Sequence, residues 1–223
     1  MDKSAPKYDD LNNRYPGDFR ASEIILYSYG GTQFDISGLT SVVNVYQSLD
    51  SAFLSGNILF FDTMGIAKSL PIIGNEHLEF KFRNPIEGDG DEELNATNHR
   101  FKVYEKRSVK TQQNVQAIAL FFTSIESVRN ERVRVSKSLE GSYAEMVDKL
   151  VKSDKELLNT KKDLFIDPTL GNYKYTFPNV RPLDGVRMMT DLAEPVNFKT
   201  PHYMFYENNR GFHFRCLESL FRE

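Results

Sequence analysis

The chain has 223 residues and a mass of 25.7 kDa, and its 40% hydrophobic and 13% aromatic content is enough to bury a core and to exclude disorder along the whole length. Twenty-eight Lys and Arg against 31 Asp and Glu leave a net charge of -3, which provides no general field for phosphate backbones or anionic lipid and disfavours a dedicated nucleic-acid binder. One cysteine, Cys216, and four scattered histidines exclude an internal disulfide framework and a zinc module. No apolar run approaches the roughly 20 residues of a membrane helix, and Met1 to Arg20 has no signal-like apolar centre. A soluble protein made in a reducing cytosol is expected.

Residues 1–20 carry Asp9, Asp10, Asn12, Asn13, Pro16 and Gly17 among few apolar residues, so burial there cannot offset the entropy of ordering. They read as a flexible arm that orders against a neighbour, or as a frayed terminus. Residues 21–128 carry strand signals separated by turns. Ile24 to Tyr27 is the first run, ended by Gly30 and Gly31; Val42, Val43, Val45 and Tyr46 follow within Leu39 to Asp50. Ile58 to Phe61, a turn at Asp62 to Gly65 and a return strand Ile66 to Leu70 predict a hairpin. Leu78, Phe80 and Phe82 alternate with Glu79, Lys81 and Arg83, and Phe101 and Val103 flank Lys102, as on a sheet with one wet face. Val115 to Ile125 is apolar on both faces and predicts a covered strand. Six or seven strands with no amphipathic helix between them predict an antiparallel sandwich or barrel.

Asn84 to His99, with Glu87, Asp89, Asp91, Glu92 and Glu93, reads as a long exposed loop. It lacks the ligand spacing of an EF-hand, and without a secretory signal the Asn95-Ala96-Thr97 triplet carries no meaning. Beyond Val128 the pattern changes. Ser142 with Glu145 forms a capping box ahead of Tyr143, Met146, Val147, Leu150 and Val151, which predicts a helix. A second helix starts at Pro182 and carries Leu183, Val186, Met189 and Ala193 up to Pro195. Lys162 to Ile166 reads as a short strand and Asn172 to Pro178 as an extended aromatic segment. Tyr203 to Tyr206 and Phe212 to Cys216 flank Glu207 to Gly211 as a hairpin. Residues 129–223 thus form a mixed α+β unit with two helices and a terminal hairpin. Charge divides at the same place: 12 basic and 17 acidic residues up to Val128 give -5, and 16 basic and 14 acidic beyond it give +2.

Nothing in the sequence spells chemistry. The nucleophile elbow, the phosphate-cradling and dinucleotide glycine patterns and the zinc-protease helix motif are absent. His77, His99, His202 and His213 lie far apart and read as ordinary hydrogen-bonded or solvated histidines; His202 and His213 approach each other only if the last hairpin brings them together. Thirty-one acids can always supply a carboxylate pair, so glycosidase chemistry is neither excluded nor supported. Cys216 reads as a small apolar strand residue. Tyr173, Tyr175, Phe177, Tyr203, Phe205, Phe212 and Phe214 alternate in a way that serves sugar or base stacking, but core packing explains it more simply. Arg129, Arg132, Arg134 and Lys137 form a modest basic cluster, solvated or facing a channel.

One stretch is more particular. Leu39 to Arg83 runs through Gly56-Asn57-Ile58-Leu59-Phe60-Phe61-Asp62, a turn, a strand ending Ser69-Leu70-Pro71-Ile72, and Gly74-Asn75-Glu76-His77-Leu78-Glu79-Phe80-Lys81-Phe82. Its order resembles the first barrel domain of the tube-forming baseplate hub subunits of contractile-tailed phages, the T-even-like group in particular, and of related injection machines. Ser142 to Ser153 is similar to the helix opening that family's second domain, Phe177 to Leu192 to its next helix, and Tyr203 to Leu217 to the hairpin after it. The likeness runs from about Ala21 to Leu220.

The resemblance implies a mainly β, α+β protein: an antiparallel β-barrel of tube type followed by a smaller mixed α+β domain. It implies a non-enzymatic subunit with no catalytic, cofactor-binding or metal-ligating residues. The expected partners are other copies in a ring of trimeric or hexamer-like symmetry, the tail tube protein, the central spike protein and other baseplate proteins, with no membrane anchor and no sequence-specific nucleic-acid binding. The expected location is the baseplate of the virion tail, after assembly in the host cytoplasm. Family members continue into a second barrel, whereas this sequence ends at Glu223, so a short or split version, or the first part of a longer chain, is expected. The alternative of another class is a tail-associated glycan hydrolase or glycan-binding module.

Overall fold

Alternate positions along a strand face the same side of its sheet, and in the first seven strands the register brings one set of apolar residues together on a buried face. The structure, a computed structural model, describes residues 20–63, 65–66, 74, 76–83, 100–110 and 116–222. The expected arm short of Arg20, the acidic segment 84–99 with the Asn95 triplet and His99, and most of the return strand 66–70 lie outside the described residues. The strands are β1 (Arg20–Tyr27), β2 (Gln33–Asp35), β3 (Thr40–Tyr46), β4 (Ser55–Asp62), β5 (His77–Arg83), β6 (Arg100–Lys110) and β7 (Gln116–Ser124). They form one antiparallel sheet in the order β2-β1-β5-β6-β7-β4-β3.

Along β4 and β7 the register runs unbroken from Ser55 opposite Thr123 to Asp62 opposite Gln116. Ile58 and Phe60 therefore share a face with Ile118, Leu120 and Phe122. Ile24, Leu26, Leu78, Phe101 and Val103 complete that buried face, closed over by Ile36, Leu54 and Ile66. The opposite face carries Leu59, Phe61, Phe121 and Tyr104. Gly56 sits directly opposite Phe122, and a Cβ there would lie 2.2 Å from the Asn44 carbonyl oxygen and 2.5 Å from the Phe122 ring. Only glycine lets that ring cover the strand.

The edges of this sheet explain its shape. A flat sheet of seven strands would hold β2 and β3 about 29 Å apart, yet the chain from Asp35 to Thr40 reaches at most about 18 Å. The sheet must curl. A 3₁₀ turn, Ser37–Leu39, makes the passage, pinned by the Ile36 N–H to the Ile24 carbonyl and by the Ile24 N–H to Ser37 Oγ at 2.8 Å. Among the described residues no ladder joins β2 to β3. The mainly β, antiparallel expectation holds, in the form of a curled half-barrel.

A short helix, α1 (Ile125–Arg132), follows β7 directly. Beyond it come β8 (Ser138–Gly141), α2 (Tyr143–Asp148) continued by a π turn over Lys149–Ser153, β9 (Asp163–Ile166), β10 (Tyr173–Thr176), α3 (Pro182–Leu192), β11 (Tyr203–Asn208), β12 (Gly211–Cys216) and α4 (Leu217–Leu220). The predicted capping box is present: Ser142 Oγ accepts from the Glu145 N–H, and the Glu145 carboxylate accepts from the Ser142 N–H. α3 begins at Pro182 as expected. β8 pairs with β10, and β11, β12 and β9 form a three-stranded sheet in which β9 runs parallel to β12. Gly211 adopts φ +138 and sits opposite Asp163, whose carbonyl oxygen would lie 2.3 Å from a Cβ. α2, α3 and these sheets enclose a second apolar cluster containing Met146, Leu150, Phe177, Val186, Met189, Phe205, Phe212 and Phe214. Cys216 is buried in the same cluster. The two clusters adjoin at Phe53, which packs against the second, and Leu54, which belongs to the first; Val128 lies within α1.

Candidate functional site

Where the two clusters meet, three charges are buried together. Lys162 stands just before β9, Glu126 in the first turn of α1 and Glu207 in β11; the lysine side chain is 3% exposed and the Glu207 side chain 0%. Lys162 Nζ donates to Glu126 Oε2 at 2.8 Å and to Glu207 Oε1 at 2.5 Å. The remaining carboxylate oxygens are also met. Thr160 Oγ1 donates to Glu126 Oε1 at 2.7 Å, while Ser124 Oγ and the Leu54 N–H donate to Glu207 Oε2 at 2.6 and 2.8 Å. Lys162 also lies over the Phe212 ring, 5.5 Å from its centre. Burial raises the Glu207 carboxyl, Lys162 opposes that rise and the Glu126 charge adds to it; the outcome is a value above the ordinary one. For Lys162 burial pulls downward, but the two carboxylates outweigh it and the ammonium is held above its ordinary value.

Sequence reading misses all three residues. It places Glu207 in the hairpin turn, whereas β11 extends through Asn208 and only Asn209-Arg210 make the connection. The sole available signal is a lysine and a glutamate flanking or interrupting apolar strand runs. The network ties the curled sheet to the second unit and is a structural clamp, because every oxygen and the ammonium already have partners inside the protein.

Two clefts open beside the junction. The first, about 520 Å³, lies between the Leu49–Phe53 segment, α3 and β11. Three of its charges are paired, since Arg181 bonds Glu131 at 2.8 Å and Asp184 at 2.8 Å. The second, about 600 Å³, lies between the β1–β2 turn, the β5–β6 pair and α1. His77 and Lys102 are directly opposite each other on β5 and β6, and Arg129 and Arg132 come from α1. Among the described residues that line this second cleft none is a carboxylate, and buried Glu76 acts on Lys102. Ile125, Val128 and Val133 supply its apolar wall.

The histidines stay apart. His77 lines the second cleft and His202 the first, while His213 is buried, stacked on Tyr206 at 4.9 Å and on Phe165 at 4.7 Å, with its Nε2 2.9 Å from Asn208 Oδ1. In the hairpin Tyr203 faces Cys216 and Tyr206 faces His213, so His202 and His213 are not brought together. Among the described residues no three His, Cys, Asp or Glu side chains converge as metal ligands. Most of the alternating aromatics lie inside: Phe177, Tyr203, Phe205, Phe212 and Phe214 belong to the second core and Tyr175 packs against it, while Tyr173 stays exposed and stacks on Tyr143 at 4.6 Å. Of the basic cluster, Arg129 donates to the carbonyls of Leu157 and Lys155, Arg134 to those of Glu131 and Val133, and Lys137 pairs with Asp154. Only Arg129 and Arg132 of these four line a cleft.

A curled antiparallel sheet joined through a buried ion network to a smaller α+β unit is the class of structure defined here. Its fold is similar to that of solved tail proteins. A 43 kDa tail protein of prophage MuSo2 from Shewanella oneidensis matches with a TM-score of 0.53 at 9% identity, covering 86% of this chain and 52% of that one. A tail protein from Neisseria meningitidis MC58 matches at 0.50 and 10% identity, covering 86% and 49%. The prophage tail protein gp18 from Listeria monocytogenes EGD-e matches at 0.52 and 14% identity, covering 86% and 50%. The chain thus spans about half the length of these structures. No protein-family model matches the chain, and no curated protein matches it in sequence.

Proposed function

We propose that this chain is a structural, non-enzymatic subunit of a contractile phage tail, placed in the baseplate hub as part of a ring that joins the tail tube to the central spike. The observation that carries this reading is the edge strand β3. It reads Thr-Ser-Val-Val-Asn-Val-Tyr, with no charge and no proline, and its Val42 and Tyr46 are 41% and 55% exposed. Natural sheets guard free edges with short strands, charges or proline. β2, at the other edge, has three residues and an aspartate; β3 has neither safeguard, and among the described residues no strand pairs with its outer side. An unguarded edge on a curled half-barrel suits lateral pairing with a neighbour around an axis, which would close the barrel wall between subunits.

The fold shared with three solved tail proteins supports a tail setting; location in the baseplate of the virion tail, after assembly in the host cytoplasm, belongs to the same proposal. On this reading the partners are further copies, the tube protein, the spike protein and other baseplate proteins. A ring of six barrel positions takes either six copies, or three where a second barrel comes from a continuing chain or a partner.

The glycan-hydrolase or glycan-binding alternative draws no support from the hairpin aromatics, which pack into the core. Purified protein, alone and with tube and spike proteins, should form rings of three- or six-fold symmetry in sedimentation and electron microscopy. A protein that stays monomeric at high concentration and joins neither partner would remove the proposal.

A further inference from the structure

The charges buried at the junction do not sum to zero. Glu126 and Glu207 face one ammonium, that of Lys162, and all three side chains are buried. Among the described residues Lys162 is the one cation bonded to either carboxylate. The groups that complete the bonding, Ser124 Oγ, Thr160 Oγ1 and the Leu54 N–H, are neutral. With every group ionised, two carboxylates against one ammonium leave a negative charge in excess, and a buried charge without a counter-charge is strongly disfavoured.

One proton removes the excess, and the hydrogen bonds have a place for it at Glu207. Glu207 Oε2 lies 2.6 Å from Ser124 Oγ, which in turn lies 3.5 Å from the Leu54 carbonyl oxygen, at the long limit of a hydrogen bond. A hydroxyl hydrogen rotates to suit its neighbours. With Glu207 ionised, the Ser124 hydroxyl donates to Oε2. With a proton on Oε2, the carboxylic acid donates to Ser124 Oγ and the hydroxyl hydrogen swings toward the Leu54 carbonyl. Oε1 keeps its bond from Lys162 in both states. Glu126 has no matching relay: its hydroxyl neighbour, Thr160 Oγ1, already accepts the Lys162 N–H at 3.2 Å and among the described residues donates only to Glu126. The surroundings act in the same direction, since burial raises the Glu207 carboxyl and the Glu126 charge adds to the rise, against the pull of Lys162 and Ser124.

The two sides of the cluster belong to different units. Leu54, Ser124 and Glu126 come from the curled sheet and the helix that follows it, whereas Thr160, Lys162 and Glu207 come from the α+β unit. We propose that the junction is a proton-operated latch: a proton taken from solvent onto Glu207 neutralises the cluster and closes the curled sheet on the α+β unit, and its return to solvent sets Glu126 against Glu207 and lets the junction open locally while both cores stay folded. The latch is independent of β3 and of the ring. A carboxyl held higher in the closed junction than in water favours closure while protonated, so its contribution is complete below about 4.3 and is lost as pH rises through the closed-state value. Lys162, held above its ordinary value, stays charged over that range.

The test is NMR on the full chain across the acid and neutral range. Amide exchange is converted to protection factors, which removes the intrinsic pH dependence of exchange. The Leu54 amide, bonded to Glu207 Oε2, should lose at least about tenfold in protection as Glu207 titrates. The amides of Leu120 and Met189, one in each core, should hold within about twofold. The Glu207 carboxyl carbon, assigned by its absence from Glu207→Gln, should titrate with a midpoint above about 4.3. Glu207→Gln, an uncharged stand-in for the protonated acid, should keep Leu54 protection constant across pH. Glu126→Gln, which leaves one carboxylate for one ammonium, should lower the Glu207 midpoint and abolish the fall. A midpoint at or below the ordinary carboxyl value overturns the latch, as does one that Glu126→Gln leaves unchanged. Leu54 protection that ignores the titration, or falls equally in Glu207→Gln, overturns it too. Parallel losses at Leu54, Leu120 and Met189 would mean global unfolding in place of local opening and would end the proposal.

Discussion

Lys162 Nζ lies 2.5 Å from Glu207 Oε1, a pairing of residues forty-five positions apart that fastens the start of β9 to β11. Glu207 reaches the sheet through its other oxygen, which accepts from Ser124 Oγ and the Leu54 N–H. One side chain therefore belongs to both units.

Removing the lysine should be far worse than removing the whole network. Lys162→Met leaves Glu126 and Glu207 buried with like charge, and losing one partner of a buried pair costs about 3–5 kcal/mol. The triple variant Lys162→Met, Glu126→Gln, Glu207→Gln removes every charge and should recover most of that loss. Urea unfolding followed by circular dichroism checks both; a triple variant no more stable than the single would show that packing, not charge, dominates the site.

The network also predicts a pH slope. Glu207 is raised in the fold, chiefly by burial. A carboxyl raised above its unfolded value favours the fold while protonated, so its contribution is complete below about 4.3 and is lost as pH rises through the folded value. Asp154, lowered by its bond to Lys137, and Asp184, lowered by Arg181, contribute in the opposite sense. Their slopes cancel in a difference. Measured from pH 4 upward, Glu207→Gln should gain stability relative to the unmodified protein; a relative loss would mean that attraction to Lys162 outweighs burial.

What could be read from the chain was local, and what escaped depended on distant pairing. The Ser142–Glu145 box, Pro182 at the start of α3 and Gly211 beside the last turn each carry their signal within a few residues, and each stands in the structure. α1 escaped because it hides polar residues: Glu126 enters the ion network and Asn130 Oδ1 accepts from the Leu183 N–H at 2.9 Å. Hydrophobic periodicity cannot detect a helix whose buried residues are polar. β2 has three residues, too few for alternation to register. Arg129 and Arg132 were visible as a cluster, but only the register of β5 against β6 brings His77 and Lys102 to them.

Gly56 supplies a packing test within the curled sheet. In Gly56→Ala the new methyl meets both the Phe122 ring and the Asn44 carbonyl oxygen, and overpacking of this kind costs about 1–3 kcal/mol. Phe122→Leu in the same chain relieves the ring contact but leaves the backbone contact with β3, so the double variant should not regain the stability of Phe122→Leu alone. Denaturation midpoints with an unchanged slope would locate the effect in the native packing. Full recovery would mean that β3 yields easily at Asn44.

The same strand offers the sharpest separation between folding and assembly. Asn44 Nδ2 donates to Asn57 Oδ1 at 2.8 Å on the outer face, flanked by exposed Val42 and Tyr46. Val42→Lys and Tyr46→Lys put charge on that face and on the free edge without entering the buried cluster, so each should change stability by less than about 0.5 kcal/mol. A lysine on an edge strand opposes continuation of the sheet by a neighbour. Combined, the two substitutions should shift the protein from ring to monomer in sedimentation, while the Lys162 and Glu207 contacts preserve the fold. Rings that persist in the double variant would mean that β3 is not the contact between copies, and would turn the search toward the exposed Tyr104 and Phe61 of the outer sheet face.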